Sequence, residues 1–278
     1  MHENKIFRFA PTPSGFLHLG NVASFMFTEL LAKKENAQIL LRIDDLDSDR
    51  TRSVCVDDIF KTLKLLGIEY QLGPKKTADF YQNYSQLTRI SLYNEALNFL
   101  KEAEHVYACV CTRKDREQTK CTCSDRNISF DALNVSWRLK IDSTKTIELN
   151  QETETKHIYK LTENFVVRQK NGKPAYQLAT IIDDIYFGVN RIVRGEDLFQ
   201  SSLMQIYLAS LLPTKNYFDN VQFWHHPLIT DEEGVKLSKS ANATAVNEEE
   251  DIPRLKLKLY YGIGEWYERT KSCTFLVK

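Results

Sequence analysis

Within its first 43 residues this chain runs strand, breaker loop, helix, strand, and that succession restricts its fold more than any other feature. Ile6 to Ala10 alternates like a short strand and stops at Pro11-Thr12-Pro13-Ser14-Gly15, residues that interrupt regular structure. Leu19 to Lys34 then carries apolar residues at helical spacing, and Ile39-Leu40-Leu41-Arg42-Ile43 is a second apolar run. Such a βαβ unit makes parallel strands, so the expected class is α/β with an open sheet.

The pattern continues with helices at about Val54 to Leu66 and Tyr84 to Glu104 and a strand at Val106 to Val110. From Ser136 to Val167 the chain turns polar and strand-rich, which suggests an insertion. The α/β alternation resumes with a helix at Tyr176 to Asp184, a strand at Val189 to Arg194, a helix at Leu198 to Leu211 and a strand at Val221 to His225. The expected domains are 1–103 and 161–247 as two halves of one domain, an insert at 104–160, and a short helical tail at 248–278. Lys+Arg and Asp+Glu both total 37, so no global field attracts a polyanion, which must meet a local patch. No long apolar run and no signal-peptide core are present, and a cytoplasmic protein making no use of a membrane is expected.

Four of six cysteines fall between Cys109 and Cys123, as Cys109-Val110-Cys111, nine residues, then Cys121-Thr122-Cys123. Four thiols so close can close a tetrahedral zinc site, with a redox pair or unrelated thiols as the alternatives. Around them Arg113, Lys114, Arg116, Lys120 and Arg126 outnumber Asp115, Glu117 and Asp125, which makes either a phosphate-contact patch or a solvated loop.

The stretch from Arg8 to Asn21 lies at a strand end and a helix start, where unpaired backbone N–H groups can meet a phosphate. Gly15 and Gly20 allow close approach, and His18 can donate to developing charge, or it can be structural. Near the other end, Gly234-Val235-Lys236-Leu237-Ser238-Lys239-Ser240 sets two lysines three apart among hydroxyls, suited to closing over a triphosphate or to plain solvation.

His18-Leu19-Gly20-Asn21 early and Lys236-Leu237-Ser238-Lys239-Ser240 late resemble the two signatures of class I aminoacyl-tRNA synthetases. Arg8-Phe9-Ala10-Pro11-Thr12-Pro13-Ser14-Gly15 narrows the resemblance to the glutamyl branch. Leu41 to Asp47, Ala175 to Ala179 with Asp183-Asp184, and Ile192 to Asp197 are similar to that branch's internal motifs, in order. The resemblance implies a Rossmann-like catalytic domain with a small zinc-containing insert of the acceptor-binding type. It also implies glutamate activation by ATP with Mg²⁺, His18, Lys236 and Lys239 stabilising the transition state. ATP would meet Pro11, His18, Gly20, Asn21, Lys236, Ser238 and Lys239. L-Glutamate would meet Arg8, Thr12, Asp44, Tyr176, Thr180 and Arg194, with surface ion pairing as the alternative for the arginines. Structural zinc would take Cys109, Cys111, Cys121 and Cys123. This chain has Asp44 where the family usually has Glu, retracting the carboxylate by about 1.5 Å, and Thr12 where it usually has Ser.

Family members continue past the lysine loop into anticodon-binding domains, whereas about 38 residues follow Ser240 here. The chain in that respect resembles the truncated glutamyl-queuosine tRNA(Asp) synthetases, which attach glutamate to the queuosine base. The expected partner is then the anticodon stem-loop of tRNA(Asp), and the expected state a monomer. Arg254, Lys256, Lys258, Arg269, Lys271 and Lys278, against Glu265 and Glu268, would add to that contact. Charging of the tRNA 3′ end, an inert tRNA-binding module and transfer to a carrier remain alternatives.

Overall fold

Parallel strands sandwiched between helices must be apolar on both faces, and Ile6–Phe9 is buried at all four positions. In the computed structural model, which describes residues 4–119, 121–151, 157–228, 270 and 272–278, this segment is β1. There follow α1 (Leu19–Glu35), β2 (Gln38–Leu41), α2 (Ser53–Leu66), the one-turn α3 (Thr77–Asp79) and α4 (Ile90–Glu102). Next come β3 (Val106–Cys109), α5 (Arg113–Gln118), β4 (Ser136–Leu139), β5 (Ile147–Gln151), β6 (His157–Tyr159) and β7 (Val166–Arg168). The order ends with α6 (Tyr176–Tyr186), β8 (Arg191–Gly195), α7 (Phe199–Ser210), β9 (Gln222–His226) and β10 (Cys273–Val277).

Two compact units contain these elements. The first takes Met1–Thr88, Gly188–Phe199 and Val221–Cys273, the second Arg89–Phe187, Gln200–Asn220 and Thr274–Lys278. In the first, β2, β1, β8 and β9 lie side by side in that order and all parallel. The chain therefore leaves β1 to one side for β2 and later returns on the other side as β8. That reversal is a topological switch point, outside whose carboxyl ends α/β sheets bind ligands. Phe7, Phe9, Ile39, Leu41 and Val193 of the strands pack with Val22, Phe25 and Met26 of α1 and with Val56, Ile59 and Leu63 of α2. Asn36 ends α1 in the left-handed conformation, at φ 50°.

The second unit holds an antiparallel sheet in the order β3-β4-β7 and a β5–β6 hairpin. Arg89, entering α4, donates from Nε to Asp183 Oδ1 on α6 at 2.8 Å, and Tyr93 Oη donates to the same oxygen at 2.7 Å.

Two sequence expectations change. The helix expected over Tyr84 to Glu104 starts at Ile90, because Ser85 is extended, at ψ 139°, and its hydroxyl donates to Asp45 Oδ2 at 2.6 Å. The expected helical tail contains a strand at Cys273–Val277, where Cys273 and Phe275 are buried alternately and Cys273 pairs antiparallel with Phe223. Among the described residues no helix is long and apolar enough to cross a membrane.

Candidate functional site

Past the ends of β1 and β2 the two chains stay together: Phe9 O accepts the Arg42 N–H and Pro11 O accepts the Asp44 N–H, each at 2.9 Å. This brings the Pro11-Thr12 corner beside Asp44 at the carboxyl edge of the sheet. The Asp44 carboxylate is gripped in a fork by Arg42, Nε to Oδ1 at 2.7 Å and Nη2 to Oδ2 at 3.0 Å, both side chains being buried. Arg42 was missed from sequence, although residues two apart on extended backbone share a face, which would have paired it with Asp44.

Across the switch point, Arg8 Nη1 donates to Val193 O at 3.3 Å, and Arg194 follows on β8 with its guanidinium 5.7 Å from the Phe223 ring centre. Both arginines are buried, at 5% and 3% exposure. Two buried guanidinium groups give this edge the planar donors that carboxylates and phosphates match. His225 lies opposite Arg194 in the β8–β9 register. Burial and then the Arg194 charge push its pKa down to about 3, so it is neutral. Gly195 turns the chain at the end of β8, where a Cβ would fall 2.6 Å from Asp197 Oδ1.

The loop after β1 is tied to α2 by the Leu17 N–H, which Asp58 Oδ2 accepts at 2.9 Å. His18 then caps α1: its Nδ1 accepts the Gly20 N–H and Asn21 Oδ1 accepts the His18 N–H, both at 3.1 Å. Arg8, Pro11, Thr12, His18, Gly20, Asn21, Asp44 and Arg194 thus all belong to the first unit, on strand ends or the turns leaving them. Tyr176 and Thr180 belong to the second unit, one turn apart on α6, the tyrosine half-exposed and the threonine buried. Lys236, Ser238 and Lys239 lie outside the described residues, as does Lys120.

The four cysteines form a separate centre in the second unit. Cys109 ends β3, Cys111 follows it, and the chain returns through α5 to Cys121 and Cys123. Sγ separations are 3.7 Å for Cys109 and Cys121, 3.7 Å for Cys111 and Cys121, and 3.5 Å for Cys111 and Cys123. All four sulfurs lie within 4.8 Å of one another. A tetrahedral zinc with Zn–S bonds of about 2.3 Å needs S···S edges of about 3.8 Å, so this donor set fits such an ion. Burial pushes the Cys109 and Cys111 thiols up, which a bound cation would reverse. Lys170 Nζ steadies the first arm by donating to Val110 O at 2.6 Å.

A Burkholderia cenocepacia protein named Glutamyl-Q tRNA(Asp) synthetase is 33% identical over 267 residues, covering 90% of this chain and 85% of its own length. A Pseudomonas fluorescens protein of the same name is also 33% identical, covering 93% and 83%. Among solved structures, glutamate-tRNA synthetase from Elizabethkingia anophelis superposes with a TM-score of 0.68 at 25% identity, over 86% of this chain. This chain spans 53% of that protein's length. The family profile described as tRNA synthetases class I (E and Q), catalytic domain, matches residues 6–261. That match runs from β1 past the end of β9 and takes in the whole switch-point edge, and the chain accordingly belongs to the class I tRNA synthetase (E and Q) catalytic-domain family.

Proposed function

We propose that this protein activates L-glutamate with ATP and transfers it to the queuosine base in the anticodon of tRNA(Asp). An α-carboxylate oxygen of glutamate attacks the α-phosphorus of Mg²⁺-bound ATP, the bond to the bridging β-oxygen breaks, and pyrophosphate leaves. A hydroxyl of the queuosine cyclopentenediol then attacks the acyl carbon of glutamyl adenylate, forming an ester. AMP departs and the hydroxyl proton passes to it or to water. No protein nucleophile is required, so the work falls to positioning and charge stabilisation.

In this reading Arg8 and Arg194 bind carboxylate, Asp44 holds the α-ammonium, and Thr12, Tyr176 and Thr180 complete glutamate recognition. Pro11, Gly20 and Ser238 shape the ATP site, Asn21 supports it, and His18, Lys236 and Lys239 meet the charge on the phosphates. Zinc on Cys109, Cys111, Cys121 and Cys123 is structural, all four positions being protein ligands, and it holds together a segment that contacts tRNA.

The observation that carries the proposal is the 33% identity, over 90–93% of this chain and 83–85% of theirs, to proteins named Glutamyl-Q tRNA(Asp) synthetase. Similarity to a glutamate-tRNA synthetase favours a second reading, esterification of the tRNA 3′ end. Labelled glutamate, ATP and Mg²⁺ are offered to tRNA from cells able and unable to make queuosine. Label confined to the queuosine-containing pool and retained after the 3′-terminal adenosine has been removed enzymatically supports the first reading. Equal labelling of both pools supports the second, and absence of glutamate-dependent pyrophosphate exchange overturns both.

A further inference from the structure

We propose that the neutral imidazole of His18 carries its proton on Nε2, and that Asn21 is a positioning residue which, with Gly20, maintains that tautomer. The Gly20 N–H points at His18 Nδ1 from 3.1 Å. A backbone N–H is only a donor, so Nδ1 must offer a lone pair, and a neutral imidazole accepting at Nδ1 carries its proton on Nε2.

A histidine ring is large for a helix cap, where Ser, Thr, Asp and Asn prevail. Room exists here because residue 20 has no side chain: a Cβ there would meet His18 Cε1 at 3.0 Å and Nδ1 at 3.1 Å. Asn21 closes the arrangement from the other direction by accepting the His18 N–H, holding the cap at φ −112° and ψ 169°. The ring is thus oriented by the backbone of residue 20, and that backbone is kept in register by the side chain of residue 21. Resting on the reading of His18 as a phosphate-contacting group, the consequence is that Nε2–H is its donor to a phosphate oxygen.

The test is ¹⁵N NMR of histidine-labelled protein without substrates, His18 being assigned by its loss in His18→Gln. The expected result is a pyrrole-type shift at Nε2 and a pyridine-type shift at Nδ1. Asn21→Ala should mix the tautomers and lower kcat of glutamate-dependent pyrophosphate exchange about tenfold or more, with the KM for glutamate little changed. Asn21→Asp, which keeps an acceptor for the His18 N–H, should keep the wild-type spectrum. A wild-type ring protonated at Nδ1, or an Asn21→Ala protein with unchanged tautomer and unchanged kcat, overturns the proposal. Wild-type protein without exchange activity would overturn glutamate activation instead, and the spectrum would still decide the tautomer.

Discussion

Arg42 and Asp44 form a buried fork, and such a pair is more costly to break than to replace, because the survivor is left as an uncompensated charge. Arg42→Ala is expected to lower stability by about 3–5 kcal/mol in urea unfolding. The double variant Arg42→Met with Asp44→Leu should recover most of that loss. His225 sets a pH dependence at the same scale. Its folded pKa lies near 3, through burial first and the Arg194 charge second, while the unfolded chain takes up the proton near 6.5. Between those values the unfolded state binds more protons, so stability falls as pH drops from about 6.5 towards 3. His225→Phe should flatten the acid limb of a pH series of thermal unfolding. The chemistry of these side chains was legible in sequence, as in Arg8, Asp44 and Arg194, but their pairing was not. Nothing in the run Leu41 to Asp47 says that Arg42 holds Asp44 while Asp45 holds Ser85.

Among the elements, the two cysteine arms show most clearly how spacing and structure divide the information. Two C-x-C pairs nine residues apart announce a four-sulfur set, and the turn through α5 brings the sulfurs to tetrahedral separations. Purified protein is expected to contain about one zinc per chain. Chelation or Cys121→Ser should release the metal and lower the melting temperature, whereas Cys55→Ser, at a buried thiol outside the cluster, should leave metal content unchanged. Zinc-free, fully folded protein would remove the site. Helix periodicity was legible for α1 and α2, whose apolar residues recur every three to four positions. It misled before α4, where apolar spacing continues through Ser85 but the hydroxyl's bond to Asp45 keeps that residue extended. A side chain 40 residues away overrode a local pattern there.

For the molecule as a whole, equal numbers of acidic and basic residues mean that nucleic acid is attracted by local patches alone. Arg113, Lys114 and Arg116 stand exposed on α5, so changing all three to Glu should weaken tRNA binding about tenfold or more at physiological salt. Glutamate-dependent pyrophosphate exchange should be unaffected, and equal loss of both would place the patch inside the catalytic machinery. The sequence by itself determined the opening βαβ unit, the cysteine set and the residue types of the proposed site. Each of these depends on periodicity or spacing within a few tens of residues. Only the tertiary structure decided that β8 lies against β1, which sets Arg8 against the Val193 carbonyl from 185 residues away, and that Tyr176 and Thr180 belong to a different compact unit. Local patterns specify which surface each element buries, but many partners could bury it. The choice among them is made by the packing of the whole core and by the parallel crossover that returns the chain to the far side of β1.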